Sequence, residues 1–264
     1  MLTLSFPRLG GGQWGTARVA AARGPARDGG RAADMAGDRL RRILSVLSAG
    51  GEGWSSDRLC AVCPGILGIT GAGVMFMSGD IPRGSLCATN EVSRLIEDLQ
   101  YTLGEGPCVD AHQQGRVVDE PDLADPVAHR WPAFTPPVLR AGVRAMFGFP
   151  LRIGTVRLGA LNLYRDQPGP LSGNQHADAL VVAQVAARWV LEAQAGAVPG
   201  TVAEELEAGA DFHFAVHNAA GIVSVQEGVS VAEALIRLRA FAFSSGRPLT
   251  DVAQDVISHK LRLG

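Results

Sequence analysis

The stretch AMFGFPLRIGTVRLGALNLY, residues 145–164, decides the fold. Two apolar runs, Ala145 to Arg152 and Val156 to Tyr164, flank Gly154 and Thr155, a pair suited to a tight turn. The spacing predicts an antiparallel strand pair. Working outward, Val74 to Met77 reads as a strand and Ser85 to Thr89 as its neighbour, joined through Gly79, Asp80 and Pro82. Val117 to Asp119 reads as a further short strand. Leu40, Ile43, Leu44 and Leu47 recur at helical spacing. Further helices are predicted over Asp57 to Ile66, with Pro64 as a candidate break, over Glu91 to Leu99, and from Leu171 to about Gln194. The order of helix, strands, helix, strands and helix predicts an α+β class, with an antiparallel sheet and helices on one face.

Composition bounds what such a chain can be. Its 264 residues suit one or two domains. Apolar residues make up 47% and charged residues 19%, enough for a core and too little charge for a disordered protein. The net charge of −2 carries no whole-chain signature of nucleic-acid binding, so any such surface is local. No apolar run approaches the roughly 20 residues that span a bilayer, and the N-terminus lacks a secretory h-region. Cys60, Cys63, Cys87 and Cys108 are too few for a disulfide scaffold at this length. The expectation is a cytoplasmic protein with reduced thiols and no membrane partner.

Residues 1–34 differ from the rest. They are rich in Gly, Ala and Arg and carry little periodicity, so they are predicted to be a poorly ordered extension. Met35 stands just before the first helical pattern, Asp38 to Leu47, and would make a natural initiator. At the other end, residues 196–200 mark a break or a kink. Three short helices follow in residues 201–264. Phe212, Val216, Ala219 and Val223 step at helical spacing in the first, which ends near Gly228. Ser230 and Glu233 have capping-box spacing and start the second, which Gly246 ends. Pro248 suits the first turn of the third, with Leu249, Val252, Ala253, Val256 and Ile257 on its apolar face.

Val216 to Ser224, Gly228 to Leu235 with Leu238 and Arg239, and Gly246 to Leu249 with Val252 and Ala253 together resemble the ANTAR domain of transcription antiterminators. The resemblance covers roughly the last fifty residues. It implies a three-helix bundle that recognises paired hairpin loops in nascent RNA, works as a homodimer and acts on the RNA polymerase complex indirectly. Arg239 and Arg247 sit beside the apolar stripes and are expected to be exposed, where arginine can grip phosphate or stack on a base. His217 and Asn218 lie off the stripe and offer donors; Arg237 and Ser244 complete the candidate RNA contacts. One position departs: many family members carry a lysine where this chain has Ala220. The segment from Phe212 onward holds five cationic residues against four acids, a thin electrostatic footprint that pairing two copies would double.

The middle of the chain, about 38–195, resembles a GAF sensor domain. The carrying residues are Leu103 to Cys108, Asp110 and Ala111, Trp131 and Pro132, Phe149 to Leu151, and Leu158 to Tyr164. The resemblance implies a sheet with flanking helices and a possible small-molecule ligand of unknown identity, and the joint layout is that of GAF–ANTAR regulators. Gly104 and Gly106 fit neither a phosphate loop nor a dinucleotide fingerprint and read as a turn close to the sheet. Cys60 and Cys63 lie three apart on one predicted helix face and read as small buried hydrophobes. Cys108 invites a rival, a GAF-fold free methionine sulfoxide reductase with Cys87 as resolving thiol. His213 and His217 fall at i, i+4 but lack a third ligand, so no metal site is expected. Leu180, Ala183, Ala187 and Val190 of the long helix either cover the sheet or form half of a dimer interface. The expectation is a signal-responsive RNA-binding regulator without catalysis. The alternative is a small-molecule-binding protein whose helical tail mediates only dimerisation or partner binding.

Overall fold

The hairpin turns where the sequence places it. In the computed structural model, β4 (Ala145–Ile153) and β5 (Val156–Arg165) pair antiparallel around Gly154 and Thr155. The structure describes residues 28–49, 56–78, 81–125, 130–195, 211–212 and 214–263. The chain divides into two units, 1–37 and 38–264.

That helix, α1 (Asp28–Ser48), starts before the predicted Asp38 and takes in part of the stretch expected to be poorly ordered; residues 1–27 lie outside the described ones. α2 (Ser56–Leu67) runs through Pro64 without breaking. Then come β1 (Gly71–Ser78), β2 (Ile81–Ala88), α3 (Glu91–Leu103), α4 (Pro107–Gln114), β3 (Val118–Glu120) and α5 (Thr135–Arg140). After the hairpin, α6 (Gly173–Gln194) opens on a full capping box between Ser172 and Gln175. A two-residue strand, β6 (Asp211–Phe212), precedes α7 (Phe214–Glu227), α8 (Val231–Ser245) and α9 (Leu249–Ile257). The predicted break at residues 196–200 lies outside the described residues.

The strands form an antiparallel sheet in the order β3-β4-β5-β1-β2, extended at the β2 edge by β6. Helices cover both faces, which corrects the expectation of one. The strands leave no choice: Phe147, Phe149 and Leu151 of β4 point one way while Met146 points the other, and all are fully buried. A sheet apolar on both sides must be covered on both. α1, α2 and α6 bury the first face, with Ile43, Leu59 and Ala183 among the contacts. Ala183, Ala187 and Val190 therefore serve the sheet, while Leu180 stays exposed. α3, α4 and α5 cover the second face.

α7, α8 and α9 share one apolar cluster built from Val216, Ala219, Leu238, Val252 and Val256. Ser230 caps α8 by accepting from the Glu233 amide, and Gly246 ends it in the left-handed conformation. The same cluster continues into Met75, Met77, Tyr101 and Val109. The C-terminal helices thus sit against the second face of the sheet.

Candidate functional site

α3 positions the polar interior of the second face. Asn90 caps it by accepting from the Ser93 amide, and Gly104 closes it in the left-handed region. Its inward residues are Ser93, Ile96, Glu97, Gln100 and Tyr101, all buried. Glu97 is 1% exposed, and its Oε1 accepts from Asn162 Nδ2 of β5 at 3.1 Å. Gly73, paired with Asn162 across β1 and β5, makes room: a Cβ there would come within 2.3 Å of Glu97 Oε1. Burial, opposed by the Asn162 bond and helped by Asp98, pushes the Glu97 carboxyl up to about 8. Glu97 is therefore mostly neutral at pH 7.

Gln100 Oε1 accepts from the Cys108 amide at 2.7 Å and ties α3 to the start of α4. The turn between them does approach the sheet, as Gly104 and Gly106 suggest. A Cβ at Gly148 of β4 would meet the Pro107 carbonyl oxygen at 2.4 Å. Within this interior Glu97 Oε2, Gln100 Nε2 and Asn162 Oδ1 have no hydrogen-bond partner.

Both free thiols, Cys63 and Cys108, are buried. Cys108 is fully buried, and burial, with Glu97 adding to it, holds the thiol well above its usual range. Burial pushes Cys63 up to about 12. Cys60 and Cys87 form a disulfide between α2 and β2, which corrects the expectation of four reduced thiols. The fold brings the two Cα atoms to 6.0 Å, within bridging range. Cys87 is thereby bonded elsewhere and does not serve Cys108.

The candidate RNA contacts separate into two groups. His217 and Arg239 meet at Tyr101. The Arg239 guanidinium donates to the Tyr101 carbonyl oxygen and lies over its ring, 5.6 Å from the centroid. His217 Nε2 is 3.5 Å from Tyr101 Oη, with the two rings edge to face. The expected exposure of Arg239 is therefore wrong. Sequence places it beside the α8 stripe, but that side of α8 faces α3. Burial lowers its pKa to about 10, Nε has no partner, and no carboxylate pairs with it among the described residues.

The others bond within the C-terminal helices or face solvent. Arg237 pairs with Glu233 at 3.0 Å and Glu227 at 3.4 Å, and Arg247 with Asp255 at 2.6 Å. Asn218 is exposed, as is Ser244, whose hydroxyl donates to the Phe241 carbonyl oxygen. His213 lies outside the described residues.

Sequence reading missed Tyr101, because its helix was ended at Leu99. It also missed Phe243 and Ile236, which are 70% and 62% exposed. With Leu103, Gly104, Ala240 and Arg239 these line a cleft of about 330 Å³ between α8 and the α3–α4 turn. A signal was present in the spacing: Ile236, Ala240 and Phe243 make a second apolar stripe on α8.

The described residues form a helix-covered antiparallel sheet with a buried polar interior on one face, an α+β domain. The GAF domain family matches residues 56–193, more than half of the chain, and the chain belongs to that family. No curated protein sequence matches it. Among solved structures it is similar to the GAF domain of an Acinetobacter phosphoenolpyruvate-protein phosphotransferase (16% identity, 63% of this chain, 98% of that one, TM-score 0.47). It is also similar to the chromophore-binding domain of a bacteriophytochrome from R. palustris (14% identity, 63% of each chain, TM-score 0.37). A third similar structure is a type II free methionine-R-sulfoxide reductase from Thermoplasma acidophilum (20% identity, 46% of this chain, 78% of that one, TM-score 0.36).

Proposed function

We propose that this GAF-domain protein is a signal-responsive RNA-binding regulator that promotes transcription antitermination by holding hairpins in nascent RNA. The observation that carries the reading is the C-terminal trio α7–α9, whose caps and apolar stripes coincide with the motifs that resemble the ANTAR domain. The sensor domain takes up a small-molecule signal, and the C-terminal helices of two copies present their polar faces to a pair of RNA hairpins. Exposed Asn218 and Ser244 and half-exposed Arg237 and Arg247 are the contacts open to RNA in this arrangement. The protein acts in the cytoplasm and reaches the polymerase complex through the transcript. Catalysis has no part in it, a reading that buried, protonated Cys108 supports over the sulfoxide reductase.

Gel-shift titration with a two-hairpin leader RNA at two salt concentrations tests this. Binding should weaken with salt, and Arg247→Ala should lower the slope by about one counterion. Absence of any shift, with the chain folded and dimeric, favours the second reading, a small-molecule-binding protein whose tail mediates association. A groove of about 560 Å³ between α1 and α6, lined by Leu40, Leu44, Val185 and Trp189, favours that pairing of copies in either case.

A further inference from the structure

We propose that the C-terminal helices are held here in a closed arrangement, in which Tyr101 of the sensor domain withdraws Arg239 and His217 from RNA, and that opening this seam is the step the signal controls. The inference rests on the RNA-binding reading above and names the regulation of that site.

Three independent features build the seam. β6 pairs with the outer edge of β2, Phe212 opposite Gly84, and leads directly into α7. Met75, Met77 and Val109 of the sensor domain share an apolar cluster with Val216 and Leu238. At its polar centre Tyr101 meets both Arg239 and His217.

The Arg239 contact is a poor resting place for a cation. It offers one carbonyl oxygen and a ring face but no carboxylate, and Nε is left without a partner. A partly buried charge without a counter-charge is unfavourable, and a phosphate would supply charge-assisted bonds that Tyr101 cannot. Tyr101 and RNA therefore compete for the same guanidinium, and this polar contact adds little to the apolar packing that closes the seam.

The seam also connects to the sensor interior. Tyr101 follows Gln100 and lies one helical turn from Glu97, both facing the sheet. Each makes one buried bond, Glu97 from Asn162 and Gln100 from the Cys108 amide, and keeps one atom, Glu97 Oε2 and Gln100 Nε2, that a ligand or a shifted α3 could satisfy. A change that moves α3 moves Tyr101, so one element is biased from both sides.

The test uses the full chain and two readouts. Phenylglyoxal labelling followed by mass spectrometry reports whether Arg239 is covered, with Arg41, whose side chain is 77% exposed, as internal reference. Titration with the two-hairpin RNA reports competence. In the wild type, Arg239 should label far more slowly than Arg41. Tyr101→Leu keeps the main-chain carbonyl but removes the ring under the guanidinium and the hydroxyl facing His217. It should raise Arg239 labelling severalfold and tighten RNA binding by up to about tenfold, the gain expected if roughly a tenth of wild-type molecules are open. If Tyr101→Leu fails to fold, Gly104→Asn replaces it. Asparagine tolerates the left-handed backbone, and its Cβ would lie 3.1 Å from Arg239 Nη1 and press on the guanidinium. Rapid labelling of Arg239 in the wild type overturns the closed state. Lost protection with unchanged RNA affinity overturns its regulatory role. Lost protection with no RNA binding by wild type or variant overturns the RNA-binding reading instead, and leaves the docking contact established.

Discussion

The two faces of the sheet solve burial differently. Beneath α6, Phe147, Phe149 and Leu161 meet Ala179, Val182 and Ala186, and the buried carboxylate of Asp178 is paired with Arg39 and Arg42. Beneath α3, Glu97, Gln100 and Asn162 are buried with an unpaired atom each, and Arg239 adds another at the seam. The first face is made of contacts that only stabilise. The second keeps polar groups that cost stability in the closed state, which is where a ligand or a conformational shift can recover it. Elements that move are drawn from such regions.

The sharpest way to break this comparison is to damage the first face. Phe147→Ala empties a fully buried site between β4 and α6. It should cost about 3–5 kcal/mol in a denaturant titration, because the packed α6 cannot collapse onto the void. A cost below ~1 kcal/mol would mean that this face is as loose as the other, and the contrast would fail.

The second face should announce itself through pH. The Glu97 carboxyl is raised by burial from 4.5 to about 8. The folded state therefore keeps a proton that the unfolded chain releases above 4.5. The contribution of Glu97 to stability is greatest below that value, falls as pH rises toward about 8, and levels off beyond it. The slope is about 1.4 kcal/mol per pH unit in that window. Glu97→Gln should remove the slope, measured as unfolding midpoint against pH. An unchanged profile would place the titration elsewhere.

The contrast was only partly legible in the sequence. The hairpin at Gly154 and Thr155, the β1–β2 pair and the capping of α6 and α8 were readable because local turn chemistry and periodicity determine them. α4 and α5 were not: one is eight residues long and the other opens TPP, which reads as a loop. Ser93, Glu97 and Gln100 share the inner face of α3, yet their polarity makes that face look solvated. The Cys60–Cys87 bridge joins residues 27 apart with no motif between them, so only the packing of α2 on the sheet reveals it. The seam was hidden for a related reason. Periodicity shows which residues leave the apolar stripe, but not what lies opposite them.

The smallest effect tests the two arginines of α8 against each other. Arg237 and Arg239 stand two residues apart on different sides of the helix. Arg237 pairs with Glu233 and Glu227, and its side chain is 41% exposed. Water screens such pairs, so Arg237→Ala should shift stability by no more than about 0.5 kcal/mol. It should also leave the phenylglyoxal protection of Arg239 intact, since Arg237 and its two acids pair on a different side of α8 from Arg239. A loss of protection at Arg239 in that variant would show that the two sides of α8 are coupled. The seam would then be held by the helix bundle as a whole and not by Tyr101.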